Sequence, residues 1–96
     1  MRYAKRVDAN QSEIIAAFER LGCSVIVIGE PVDLVVYMPW NGVRQNVFVE
    51  IKDGSKPPSA QKHTQQQVKF FAEWPGPKVT VRSVDDVLSL LSRTTA

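Results

Sequence analysis

Three observations in this 96-residue chain predict an α/β fold. Apolar residues recur at helical spacing near the start, after the centre and at the end. Runs of β-branched residues lie between them. A central Asn41-Gly42 is flanked on both sides by strand-like sequence; it is the strongest short hairpin signal, because both central residues of such a turn need positive φ. The length allows one domain, residues 1–96, with no room for a second core.

The elements follow in order. Asp8 with Gln11 three residues on is a capping signal, and Ile14, Ile15, Phe18 and Leu21 form one apolar stripe that Gly22 ends. Ser24 to Ile28 lacks polar alternation, which predicts a strand covered on both faces. Val32–Met38 and Val43–Lys52 make the hairpin, in which facing residues have numbers summing to 83. Its core face carries Leu34, Val36 and Met38 against Val47, Val49 and Ile51; the other carries Asp33, Val35 and Tyr37 against Asn46, Phe48, Glu50 and Lys52. Pro39, lacking an N–H, is expected to widen the turn.

Gly54, Pro57 and Pro58 mark a loop, after which a helix is expected from Ser59 or Thr64 to Trp74, stopped by Pro75-Gly76-Pro77. Lys78–Arg82 reads as a short strand, and Ser83 with Asp86 opens the last helix through Val87, Leu88, Leu90 and Leu91.

Composition narrows the partners only weakly. Twelve basic against 10 acidic residues leave a net charge of +2, too mild to announce nucleic acid unaided. A lone Cys23 excludes an internal disulfide and suits a reducing compartment. No run reaches membrane-spanning length, and the basic start has no apolar h-region behind it; the expected location is cytoplasmic, with no membrane partner.

The chemistry lies at one end of the hairpin. Asp33 and Glu50 sum to 83, so they should face each other with Cβ atoms roughly 4.5–5.5 Å apart. Lys52 points to the same face. Two carboxylates and an amine so arranged suit a divalent-metal phosphodiesterase. Of the remaining polar residues, His63 beside Lys62 reads as solvated, and Arg44, Lys56, Lys62 and Lys69 are cations that could contact phosphate. Arg82, on the short strand, is a better candidate for phosphate or for a carboxylate of the site. Phe70, Phe71 and Trp74 read as core or interface, and Trp40 at a turn tip is hard to bury in a monomer.

This order of elements, with Asp33 before one strand and Glu50-Ile51-Lys52 ending the next, resembles the PD-(D/E)XK nuclease superfamily. It looks most like the small stand-alone VRR-NUC nucleases of phages and bacteria, themselves similar to Holliday-junction resolvases. Glu13, about nine residues before Gly22, matches a helical glutamate of that family. Thr64-Gln65-Gln66-Gln67 matches its Ser/Thr-x-x-Gln, and Val81-Arg82-Ser83 its naming strand. In the naming strand Ser83 stands in place of the second arginine, and Val32 separates Pro31 from Asp33.

The resemblance implies a restriction-endonuclease-like αβββαβ(α) core with a mixed central sheet. It also implies an endonuclease using Mg²⁺, or Mn²⁺ as substitute, held by Asp33, Glu50 and the carbonyl of Ile51. Lys52, Glu13 and Gln67 would complete the catalytic set, and the substrate would be DNA, branched or flapped, cut by a homodimer. A catalytically inactive nucleic-acid-binding or protein-interaction module on the same fold is the alternative.

Overall fold

The computed structural model describes residues 9–94 of the protein, so Asp8 and its expected cap lie outside the described residues. The elements are α1 (Gln11–Arg20), β1 (Ser24–Val27), β2 (Leu34–Trp40), β3 (Val43–Ile51), a 3-10 turn (Pro58–Gln61), α2 (Gln65–Glu73), β4 (Lys78–Val81) and α3 (Val84–Thr94). The fold is α/β, with a mixed four-stranded sheet in the order β1-β2-β3-β4. The first three strands are antiparallel and β4 runs parallel to β3.

The hairpin forms at the expected register. Asn41 and Gly42 take φ of 51° and 85°, the left-handed values that a tight two-residue turn demands. Pairing runs from Trp40↔Val43 to Leu34↔Val49, every pair summing to 83. Pro39 sits opposite Arg44 inside the ladder and does not widen the turn. Leu34, Val36, Met38, Val47, Val49 and Ile51 are all fully buried. They share one core with Ile14, Ala17 and Phe18 of α1 and Val87, Leu90 and Leu91 of α3, so these two helices seal that face of the sheet. Trp40 is half-buried against the same core, which removes the expected difficulty of burying it.

Two other expectations are corrected. β1 is the edge strand, not a strand covered on both faces: Ile26 is 64% and Val27 58% exposed. Its β-branched run reflects strand propensity, which says nothing about how many neighbours a strand has. The strand before the hairpin turn starts at Leu34 rather than Val32. Val32 and Asp33 belong to a closed loop in which the amides of Ile28 and Gly29 both donate to the Asp33 carbonyl at 2.9 and 3.2 Å.

Of the two expected starts for α2, Thr64 is the one used. It makes a reciprocal capping box: Gln67 N donates to Thr64 Oγ1, and Thr64 N donates to Gln67 Oε1. Ser83 caps α3, accepting from Asp86 N at 3.2 Å while Asp86 Oδ2 accepts from Arg82 N. α2 lies over the face of β3 opposite the core, the face that carries Phe48, Glu50 and Lys52.

Candidate functional site

β3 alternates, and that alternation puts Glu50 and Lys52 under α2 while Val49 and Ile51 enter the core. Asp33, one step beyond the last ladder pair, reaches back to the same place: its Oδ2 accepts from the amide of Ile51 at 2.8 Å. The backbone between Glu50 and Lys52 thus holds the first carboxylate.

The second carboxylate is held by side chains. Glu50 Oε2 accepts from Gln67 Nε2 at 2.7 Å and lies 3.2 Å from Lys52 Nζ. Lys52 Nζ donates in turn to Gln67 Oε1 at 3.0 Å. The amide orientation of Gln67 is chemically determined. Turned over, it would set its NH₂ against an ammonium and the Thr64 N–H, and its oxygen against a carboxylate. Asp33, Glu50, Lys52 and Gln67 are all buried, Glu50 to 2% exposure.

Burial, first, and the charge of Asp33, second, push Glu50 from its ordinary 4.5 up to about 7; Lys52 pulls the other way. Glu50 Oε1 is buried with no hydrogen-bond partner. Such a group is costly to leave, and a buried ion pair is a poor source of stability. A buried carboxyl raised by burial and by a neighbouring acid marks a candidate functional site.

These donors fit a hard divalent cation. Mg²⁺ is ordinarily held by one or two carboxylates, with water filling the remaining positions. Asp33 and the unsatisfied Glu50 Oε1 supply such oxygens. Among the described residues no group of three or more His, Cys, Asp or Glu side chains could hold a metal, so this pair would need backbone and water oxygens to complete a coordination shell.

The other expected site residues divide. Gln67 is inside the network. Glu13 is exposed and lines a cavity of about 590 Å³ with Asn10, Asp53, Arg82 and Asp86, a cavity whose lining does not include the carboxylate pair. Arg82 is exposed on that cavity, its Nε donating to Gln61 Oε1 at 2.9 Å. Lys56, Lys62 and Lys69 are exposed. Arg44 is not brought to the site. Six residues before Glu50 along β3, it is on the order of 20 Å away, where it donates to the Gly22 carbonyl and lies over the Tyr37 ring.

Comparison with known protein families, with curated proteins and with solved structures found no match. The site therefore speaks through its own geometry.

That geometry includes residues sequence reasoning passed over. Asn10 Nδ2 donates to the carbonyls of Lys52 at 3.2 Å and Arg82 at 3.0 Å, tying the chain ends of β3 and β4 to the start of α1. His63 is half-buried, not solvated. Its ring stacks on Phe71 at 4.8 Å, and its Nε2 lies 3.3 Å from Thr80 Oγ1. Thr80 is the strand partner of Glu50. Burial, then the positive charges of Lys52 and Arg82, hold the imidazole below its ordinary pKa. No local pattern announces these contacts. Only the Ser/Thr-x-x-Gln spacing, which places Gln67, was visible.

Proposed function

We propose that the protein is a metal-dependent endonuclease of the PD-(D/E)XK type, related to the VRR-NUC nucleases and acting on branched or flapped DNA. One observation carries the reading. An Asp–Glu pair, a lysine and a glutamine converge at the end of one hairpin, with one carboxylate oxygen buried and unsatisfied. The order αβββαβα and the mixed sheet are compatible with the restriction-endonuclease-like core.

Mg²⁺ or Mn²⁺, held by Asp33, Glu50 and the Ile51 carbonyl, would polarise a phosphate and lower the pKa of a bound water. The chain does the rest. The Ile51 amide fixes Asp33, and Gln67 fixes both Glu50 and Lys52. The Lys52 ammonium, already oriented, stabilises negative charge growing on a phosphate oxygen. Arg82, on the wall of the neighbouring cavity, would meet the flanking nucleic acid, and Glu13 on the same wall would act through metal-bound water.

A homodimer is part of this proposal. It rests on the exposed apolar edge of β1, since such an edge is a template for pairing with another chain. Light scattering measures it directly; a strictly monomeric mass at high micromolar concentration refutes it.

The test of the activity is a panel of labelled linear, flapped and four-way DNA substrates with Mg²⁺, Mn²⁺ or EDTA. Cleavage is expected with metal and with the parent chain, and to be lost on Glu50→Ala, Asp33→Ala or Lys52→Ala. Full cutting in EDTA, or by the Glu50→Ala protein, would overturn the assignment.

A further inference from the structure

Toward the C-terminal end of α2, on the same face of the sheet as the carboxylates, lies an aromatic group that the core does not use. Trp74 is 42% exposed. It stacks on Phe70 with ring centroids 6.0 Å apart and planes 15° from parallel, and meets Phe48 edge-on at 5.4 Å. Phe70 and Phe48 are themselves in edge contact at 5.2 Å. None of these rings belongs to the buried core between the sheet, α1 and α3. Of the expectation that Phe70 and Trp74 are core or interface, the core half does not hold.

The position of the Trp74 ring is built in. Gly76 lies against it so closely that a Cβ there would sit 2.7 Å from Trp74 Nε1. Lys78 Nζ donates to the Trp74 carbonyl from the other side of the Pro75-Gly76-Pro77 stop. The indole is therefore a fixed, half-open plate.

Beside it runs a groove of about 380 Å³ lined by Pro31, Gln66, Lys69, Phe70, Glu73 and Trp74. That volume falls in the ordinary range of small-ligand sites. Pro31 is two residues before Asp33, Gln66 is next to the Gln67 that holds Glu50, and Phe70 is three residues, about 4.5 Å of helix rise, beyond Gln67. The groove thus adjoins the two segments that hold the carboxylate site, the loop leading to Asp33 and helix α2.

The geometry points to a stacking subsite for one unpaired nucleobase of the strand whose phosphate occupies the carboxylate site. The inference rests on the proposed nuclease reading and adds to it a preference for single-stranded nucleotides beside the cut. Aromatic rings take a base face without regard to sequence. Gln66 and Glu73 offer an amide and a carboxylate to a base edge, and Lys69 offers a cation to the backbone. A base inside a duplex has both faces covered by its neighbours, so this plate selects one that is unstacked.

The test is binding in EDTA, where no cleavage occurs, of a short single-stranded DNA, the same oligonucleotide with an abasic nucleotide, and the corresponding duplex. Trp74→Leu is expected to weaken single-strand binding about tenfold, Trp74→Phe to restore most of it, and neither to change duplex binding. The abasic oligonucleotide should bind parent and Trp74→Leu alike. Gly76→Ala, which pushes the indole off its seat, should act in the same direction as Trp74→Leu and provides the second variant should that one fail to fold. Equal weakening of single strand and duplex, or unchanged single-strand affinity in both variants, overturns the subsite. Metal-supported cutting with no base selectivity removes this inference alone. Base-selective binding without cutting at any metal concentration leaves the subsite standing and removes the nuclease reading.

Discussion

The two faces of β3 are made by the same nine residues and differ in almost every physical respect. Val47, Val49 and Ile51 point into a sealed apolar core against α1 and α3. Phe48 and Glu50, with Lys52 just past the strand end, point under α2, into a layer where the side chains of Glu50, Lys52 and Gln67 are buried almost as deeply as the valines behind them. The first face lowers the free energy of the fold by removing apolar area from water. The second raises it, because desolvated charges are held close together. A strand with one face of each kind teaches where to look for function: at the polar groups whose burial stability does not explain.

The sharpest break between the faces is a pair of neighbouring substitutions. Glu50→Gln should abolish metal-supported cleavage by orders of magnitude yet melt, in EDTA, at or above the parent temperature, since it removes the group that repels Asp33. Ile51→Ala, next along the strand, should lose about 2–5 kcal/mol of stability and cleave normally once folded. Denaturant melts and cleavage rates on the same preparations check both.

The pH dependence sharpens the comparison. In the metal-free fold Glu50 is raised from 4.5 to about 7. Between those values the folded state holds more protons than the unfolded chain, so stability falls as pH rises from about 4.5 through about 7, and its full contribution is present below 4.5. Glu50→Gln should flatten that fall, and a core substitution such as Ile51→Ala should leave it in place.

Metal should reverse the repulsion. A divalent ion at about 100 times its dissociation constant is expected to stabilise the parent by roughly 2.7 kcal/mol. Asp33→Asn should gain much less and should not cleave. Equal metal-induced shifts in thermal melts of the two proteins would show that Asp33 is no ligand.

Smaller effects test how the polar face is framed. Asn10→Ala leaves two strand-end carbonyls without their shared donor and should cost about 1–3 kcal/mol, with cleavage reduced because the Lys52 backbone is one of the two. Arg44→Ala, at the far end of the hairpin, should change stability by no more than about 0.5 kcal/mol and leave cleavage rates unaltered. A large activity loss there would mean that nucleic acid runs the length of the hairpin.

Much of this layout was legible because short-range chemistry determines it. Asn41-Gly42 permits one turn, that turn permits one register, and the register divides the hairpin residues into two faces. Thr64 was one of two expected starts for α2, and Gln67 was singled out through the resemblance to a Ser/Thr-x-x-Gln motif. The edge position of β1 was not legible, since strand order depends on which segments return beside which. Nor were the links from Asn10 to Lys52 and Arg82, or from His63 to Thr80. They join residues 42, 72 and 17 positions apart, and no local pattern encodes such separations.

Gln67 carries a consequence for the timing of assembly. The same carboxamide oxygen that closes the first turn of α2 onto Thr64 also receives Lys52, and the same side chain's nitrogen holds Glu50. Winding that turn and arming the site are one event. A chain whose α2 has frayed by a single turn has an intact hairpin and an intact core but a disarmed lysine, so amide exchange in the first turn of α2 should set the ceiling on the fraction of molecules ready to act.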